Sequence, residues 1–191
     1  MSSLTQLKVI SHVGRDLLAS AAAFKNEAVA VWEYVANSLQ YLDLGVAPRV
    51  QVEVNSERRR ITISDNGRGM DPQDLQHFFT MHGENLDRRA GRIGRGKFGT
   101  GKSAAFGIAN ILTVDTVRNG RRNVVTLSRD TIEKSAGDNV PIKWELRDGP
   151  SDRRNGTTII IDEVLLGRIR IEPIVEYIER HLQAFRAIAP E

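Results

Sequence analysis

Gly94-Arg95-Gly96-Lys97-Phe98-Gly99-Thr100-Gly101-Lys102-Ser103 is the stretch on which the fold turns. Four glycines and two lysines in ten residues, running into a helix-like segment, expose backbone N–H groups where a helix dipole is positive. Such an arrangement suits phosphate. The same letters satisfy G-x-x-x-x-G-K-[ST] from Gly96 to Ser103, a phosphate-loop pattern that belongs to a parallel α/β sheet. That pattern needs a buried apolar strand directly before its first glycine. Here Arg88 to Arg95 holds four arginines, with only Ala90 and Ile93 as apolar side chains. No apolar strand of good length ending in Asp follows either; Ile159 to Asp162 is the nearest and is short. A P-loop NTPase built on Gly96 to Ser103 is therefore the lesser alternative, and an antiparallel arrangement the greater.

Outward from this stretch the chain divides clearly. Leu4 to Phe24 has Leu7, Ile10, Leu17 and Ala21 at helix-like spacing and is predicted helical, with a break near Gly14. Asn26 stands as an N-cap for an amphipathic helix to about Leu42, whose predicted core stripe is Ala28, Trp32, Val35, Leu39 and Leu42. Val50, Val52 and Val54, then Ile61 and Ile63, alternate with polar residues and predict a hairpin. Asp71-Pro72 opens a short helix through Phe79. Thr80 to Lys97 is polar, rich in glycine and arginine, and predicts a long loop, a length that is usually functional or disordered. Thr100 to Asn110 reads as helical. Strands are expected at Ile111 to Arg118, Arg121 to Leu127, Pro141 to Arg147 and Thr157 to Asp162, and a closing amphipathic helix at Ile171 to Ile188. Helices on both sides of a mostly antiparallel run predict a two-layer α/β (α+β) sandwich with its helices on one face.

Three further segments carry chemistry. Glu33 and Asn37 are four apart on the first amphipathic helix, so they share a face beside its core stripe, and Gln40 continues the row. Polar flanks of this kind are common, so the pair alone decides little. In Asp65-Asn66-Gly67-Arg68-Gly69-Met70, period-two counting puts Asp65 on the side of Ile61 and Ile63. An inward carboxylate is costly unless something donates to it, and an exocyclic amine such as that of adenine would serve. Gly67 and Gly69 allow a tight turn against a planar ligand. An ordinary Asx-turn explains the same letters. In Asn155-Gly156-Thr157-Thr158-Ile159, Thr157 shares the face of Ile159 and Ile161, so its hydroxyl is expected inward; alone, this is an ordinary strand start.

Bulk properties narrow the classes. The chain has 191 residues, 40% hydrophobic and 27% charged, enough for one domain with a real core. It contains no cysteine, which excludes disulfides and thiolate metal sites. His12, His77, His82 and His181 are scattered, arguing against a histidine metal centre. No apolar run approaches the about 18 residues of a membrane span, and Lys8, Arg15 and Asp16 interrupt any leader-like segment, so a cytoplasmic location without membrane association is expected. Net charge +3 and a pI near 9.4 leave nucleic acid open as a partner without indicating it.

Taken in order, the segments resemble the boxes of the GHKL superfamily, the group of gyrase, heat-shock-ninety, histidine-kinase and MutL ATP-binding domains. The resemblance spans roughly Phe24 to Asp162, nearest in style to heat-shock-ninety-like and microrchidia-like members. Glu33-Tyr34-Val35-Ala36-Asn37-Ser38-Leu39 resembles the N box, Asp65 to Gly69 the first glycine box, Gly96 to Gly101 the second, and Gly156-Thr157-Thr158-Ile159 the final Gly-Thr segment. It implies a Bergerat-type fold with a mixed, mostly antiparallel sheet. It also implies that residues 1–191 form a single ATP-binding domain with a lid at about 80–97. The implied cofactors are ATP and Mg²⁺. Glu33 would be the general base toward water, and Asn37 the Mg²⁺ ligand. Asp65 would accept from the adenine amine, supported by Gly67, Gly69, Met70 and Thr157. Gly96, Lys97, Phe98, Gly99, Thr100, Gly101 and Lys102 would meet the phosphates. One departure stands out: Gln40 and Tyr41 occupy positions where the family usually has Asp and Ala.

The function implied is slow, Mg²⁺-dependent ATP hydrolysis that drives lid closure and either homodimerisation or docking of a partner domain. The chain ends just beyond a helix, as the N-terminal part of a longer protein would. A protein-histidine kinase fits less well, since no histidine lies in a long dimerising helix. An ATP sensor without hydrolysis, or a nucleic-acid binder using Arg88, Arg89, Arg92 and Arg95, is the remaining alternative.

Overall fold

A computed structural model describes residues 4–8, 18–19, 21–43, 45–79, 101–135 and 139–186. Among the described residues, seven strands form one sheet in the order β1-β6-β5-β4-β7-β3-β2. They are β1 (Leu4–Lys8), β2 (Val50–Asn55), β3 (Arg60–Asp65), β4 (Ala109–Arg118), β5 (Arg121–Ser128), β6 (Asn139–Pro150) and β7 (Gly156–Val164). Every pairing among them is antiparallel. The helices whose bounds are described are α1 (Glu27–Gln40), α2 (Pro72–Phe79), α3 (Arg129–Lys134) and α4 (Ile171–Arg186), with a 3₁₀ helix at Gly101–Gly107. No helix among the described residues is long and apolar enough to cross a membrane.

Alternation along the strands builds the layers. Ile61 and Ile63 of β3, Leu112 and Val114 of β4, Val125 and Leu127 of β5, and Ile159 and Ile161 of β7 are buried, all in one cluster with α1 and the 3₁₀ helix. Their neighbours along the strands form a polar layer. Thr113 pairs with Thr126 at 3.0 Å, Ser64 with Thr158 at 3.1 Å, and Arg122 grips Asp115 with two bonds of 2.9 Å. The two-layer sandwich expected from the sequence is present. An antiparallel sheet throughout is incompatible with the parallel sheet that a P-loop at Gly96–Ser103 requires, and the alternative falls.

Other expectations need correction. Leu4–Lys8 is a strand, not the start of a helix; it pairs residue by residue with Asn139–Lys143 along the edge of β6. Backbone groups on an open sheet edge demand partners, and at Leu4–Lys8 that tertiary demand overrode the helix-like spacing that begins at Leu7. The segment read as helical from Thr100 to Asn110 is a 3₁₀ helix that gives way to β4 at Ala109. Helix α3 was not foreseen; Ser128 caps it by accepting from the Thr131 N–H at 3.1 Å.

Helix α1 sits at a different rotation from the one predicted. Asn26 caps it as expected, accepting from the Ala28 N–H at 2.7 Å. Its buried stripe, however, is Ala28, Val31, Tyr34, Val35 and Ser38, while Trp32 and Leu39 are only half-buried. Trp32 packs instead near His181 of α4, ring centroids 5.2 Å apart. The small residues Ala28 and Ala30 let α1 approach closely, and Tyr34 turns inward because its hydroxyl meets a backbone partner there.

Candidate functional site

Asp65 ends β3 facing α1. Its Oδ2 accepts from the Ser38 hydroxyl at 2.7 Å, and its Oδ1 accepts from the N–H groups of Gly67 and Thr157, each at 2.9 Å. The carboxylate thus joins α1, the turn after β3 and the start of β7. A carboxylate has about four lone-pair sites, so three donors leave capacity for one more. Thr157 acts here through its amide, while its hydroxyl pairs with Thr116 Oγ1 at 3.0 Å.

Thr116 is a second node. Its side chain lies inward on β4, fully buried, in register with Leu112 and Val114. The hydroxyl donates to the Gly156 carbonyl at 3.1 Å and accepts from the Met70 N–H at 2.9 Å. Asn123, equally buried on β5, donates to the Met70 carbonyl at 3.4 Å and accepts from the Asp148 N–H at 2.7 Å. Met70 is therefore held through its backbone from both sides. Gly69 makes that approach possible: at φ +70° it is left-handed, and a Cβ there would lie 1.9 Å from the Val117 carbonyl oxygen. Beyond the turn, Arg118 bridges Asp71 and Asp74 and so ties the first turn of α2 to β4.

Glu33 and Asn37 are half-buried on α1, Asn37 directly preceding the Ser38 that holds Asp65. Among the described residues, neither side chain has a hydrogen-bond partner. Burial raises the Glu33 carboxyl above its ordinary pKa, because the charged form loses hydration. Next to it, the Tyr34 phenol is buried and its titration pushed far above the ordinary range, so it stays protonated. The Tyr34 oxygen accepts from the Ala105 N–H at 3.1 Å, tying α1 to the 3₁₀ helix that begins at Gly101. Gly101 and the backbone of Lys102 open that helix. Gly96, Lys97, Phe98, Gly99 and Thr100, the lid expected at 80–97 and its arginines lie outside the described residues.

The structure brings Asp65, Gly67, Gly69, Met70 and Thr157 together at one end of the sheet, and Ser38 ties α1, the helix of Glu33 and Asn37, to Asp65. Reading the sequence missed Ser38, Thr116, Asn123 and Tyr34. The signal for two of them was there: Thr116 and Asn123 are polar residues at inward positions of otherwise apolar strands. Ser38 and Tyr34 carried no such mark. A separate cavity of about 340 Å³, lined by Asn110, Arg129, Asp130, Glu133 and Glu163 among others, opens at the opposite end of the strands and includes none of these residues. No cluster of three or more metal-binding side chains occurs among the described residues. A magnesium ion needs no such cluster, since one or two protein oxygens plus phosphate and water suffice.

The chain is similar to several known proteins. The chaperone protein HtpG of Ehrlichia canis is 27% identical over 93% of this chain and 32% of its own length. HtpG of Campylobacter jejuni (strain RM1221) is 26% identical over 75% of this chain and 24% of its own. A putative type II restriction enzyme, HgiDII of Herpetosiphon aurantiacus, is 26% identical over 83% of this chain and 25% of its own. The chain spans about a quarter to about a third of the length of these relatives. The sequence profile described as "Histidine kinase-, DNA gyrase B-, and HSP90-like ATPase" matches residues 25–155, more than half of the chain and the whole run from α1 to the start of β7. With its antiparallel sandwich and its carboxylate held between α1, β3 and β7, the chain belongs to this ATPase family and is an ATP-binding domain.

Proposed function

We propose that the domain hydrolyses ATP slowly and uses nucleotide-driven closure of residues 80–97 to promote homodimerisation or docking of a partner domain. Asp65 accepts from the adenine amine, oriented by Ser38 and the amides of Gly67 and Thr157. The turn Gly67–Met70 lies along the base. Gly96 to Lys102 supply amides and positive charge to the phosphates. Magnesium, when bound through Asn37, neutralises charge on the phosphate oxygens. Glu33 orients the attacking water and takes its proton; burial that raises its pKa makes it a stronger base than an exposed carboxylate.

The observation that carries this reading is the Ser38–Asp65 bond. This bond ties the helix of Glu33 and Asn37 to the carboxylate that this reading gives to adenine, which supports a nucleotide lying between them. Relatives named as a chaperone and as a restriction enzyme share the domain, which favours a general closing module over any one attached activity. Turnover in isolation is expected below about 1 s⁻¹, slow by the standard of ordinary enzymes. The test compares wild type with Glu33→Ala. Turnover should vanish while ATP binding by calorimetry persists; turnover unchanged in the variant removes Glu33 as the base.

A further inference from the structure

Tyr34 links the two elements that the proposed nucleotide site sets at the phosphates, and its role rests on that site. The 3₁₀ helix Gly101–Gly107 follows directly on the glycine-rich stretch, and the proposed function sets Gly96 to Lys102 at the phosphates. Its far end is anchored firmly. A Cβ on Gly107 would lie 2.2 Å from the Phe24 carbonyl oxygen and 2.5 Å from that of Ala21, and Arg129 donates to the Phe106 carbonyl. Its middle is held from α1 by the Tyr34 oxygen, which accepts the Ala105 N–H at 3.1 Å.

Tyr34 is 1% exposed and its ring belongs to the core, so the hydroxyl cannot wander. It directly follows Glu33 and precedes Asn37 by three residues. Because a helix is stiff over one turn, the inward direction of Tyr34 also sets where Glu33 and Asn37 point. A tyrosine is not needed to fill apolar space; phenylalanine would do that. What the hydroxyl adds is a fixed register between two elements that must face the same phosphates.

We propose that Tyr34 is a positioning residue: its hydroxyl locks the phosphate-binding 3₁₀ helix to the helix bearing Glu33 and Asn37. Removing the hydroxyl takes from the buried Ala105 N–H its acceptor on α1 and frees that helix to shift, which affects the phosphate end of the nucleotide and spares the adenine end. The Asp65 site, built from Ser38, Gly67 and Thr157, shares no hydrogen bond with Tyr34.

The experiment measures Kd for adenosine and for Mg·ATP by calorimetry in wild type and Tyr34→Phe. Adenosine affinity should hold within about twofold, while ATP affinity falls about tenfold, the scale of one lost buried hydrogen bond. A variant in which ATP weakens no more than adenosine overturns the proposal, whatever its melting temperature, because a merely stabilising hydroxyl predicts that result. Amide exchange in the wild type gives a readout that does not depend on the variant folding. ATP should slow exchange at Ala105 beyond any effect of adenosine, and an Ala105 amide indifferent to ATP counts against the proposal. Wild type that binds neither ligand rejects the nucleotide site itself, a failure distinct from both.

Discussion

Ser38 and Asp65, 27 residues apart in the chain, meet through a 2.7 Å hydrogen bond from the serine hydroxyl to Oδ2. Through it the helix of Glu33 and Asn37 bears on the end of β3. Ser38 is itself buried and Asp65 half-buried, so the bond is partly shielded from competing water.

Ser38→Ala removes one of the three donors that fix Asp65. A stability loss of about 1 kcal/mol is expected, with adenosine and ATP affinities falling together by about five- to tenfold. Chemical denaturation and calorimetry check both numbers. ATP binding unaffected by the change would detach Asp65 from adenine recognition.

Glu33→Gln should raise the melting temperature while abolishing turnover. The folded-state pKa of Glu33 is raised above its ordinary 4.5, so the fold binds this proton more tightly than the unfolded chain does. Stability from this group is therefore full below the unfolded pKa and is lost as pH rises through the folded one. The advantage of Gln over Glu should grow across that window and then level off. Thermal melts of the two proteins between pH 4 and 8 measure it. A constant difference would mean that Glu33 is not desolvated.

Two glycines with positive φ separate backbone strain from steric contact. Gly45, at φ +79° with nothing near its missing Cβ, should tolerate alanine at about 1 kcal/mol, the cost of the left-handed backbone alone. Gly69→Ala drives a Cβ into the Val117 carbonyl oxygen and should cost well over twice as much, about 3 kcal/mol or more. It should also abolish adenosine binding. Denaturant midpoints for the pair decide the matter.

Thr116→Val keeps shape and loses the hydroxyl. The Met70 N–H then has no acceptor in the core, and a loss of about 1–3 kcal/mol is expected. Weaker adenosine binding should accompany it, since Met70 closes the Asp65 turn. An equilibrium melt and one titration test this, and a neutral outcome would show that water replaces the hydroxyl.

Much of this architecture could be read along the chain. The hairpin of β2 and β3 was visible because alternation of Val50, Val52, Val54, Ile61 and Ile63 is a local code with period two, and the pairing Val52 with Ile63 realises it. Asn26 announced α1, and the inward phase of Asp65 followed from Ile61 and Ile63 on the same strand. What could not be read was the set of partners. Asp65 was expected to need a donor from outside; three come from the protein, two of them backbone amides without any side-chain signature. The rotation of α1 was misjudged because hydrophobicity alone ranks Trp32 and Leu39 above Tyr34 and Ser38.

Local order in this protein therefore belongs to the sequence itself: which segments alternate, where a helix is capped, where glycines let the chain turn. These depend on neighbours within a few residues, and the chain carries them wherever it goes. Tertiary structure alone decided that Leu4–Lys8 becomes an edge strand, that Tyr34 rather than Trp32 enters the core, and that Ser38, Thr116 and Thr157 converge on one carboxylate and one turn. A hydroxyl or an open strand edge has no preference of its own. Its role is set by the group it meets, and that group lies tens of residues away.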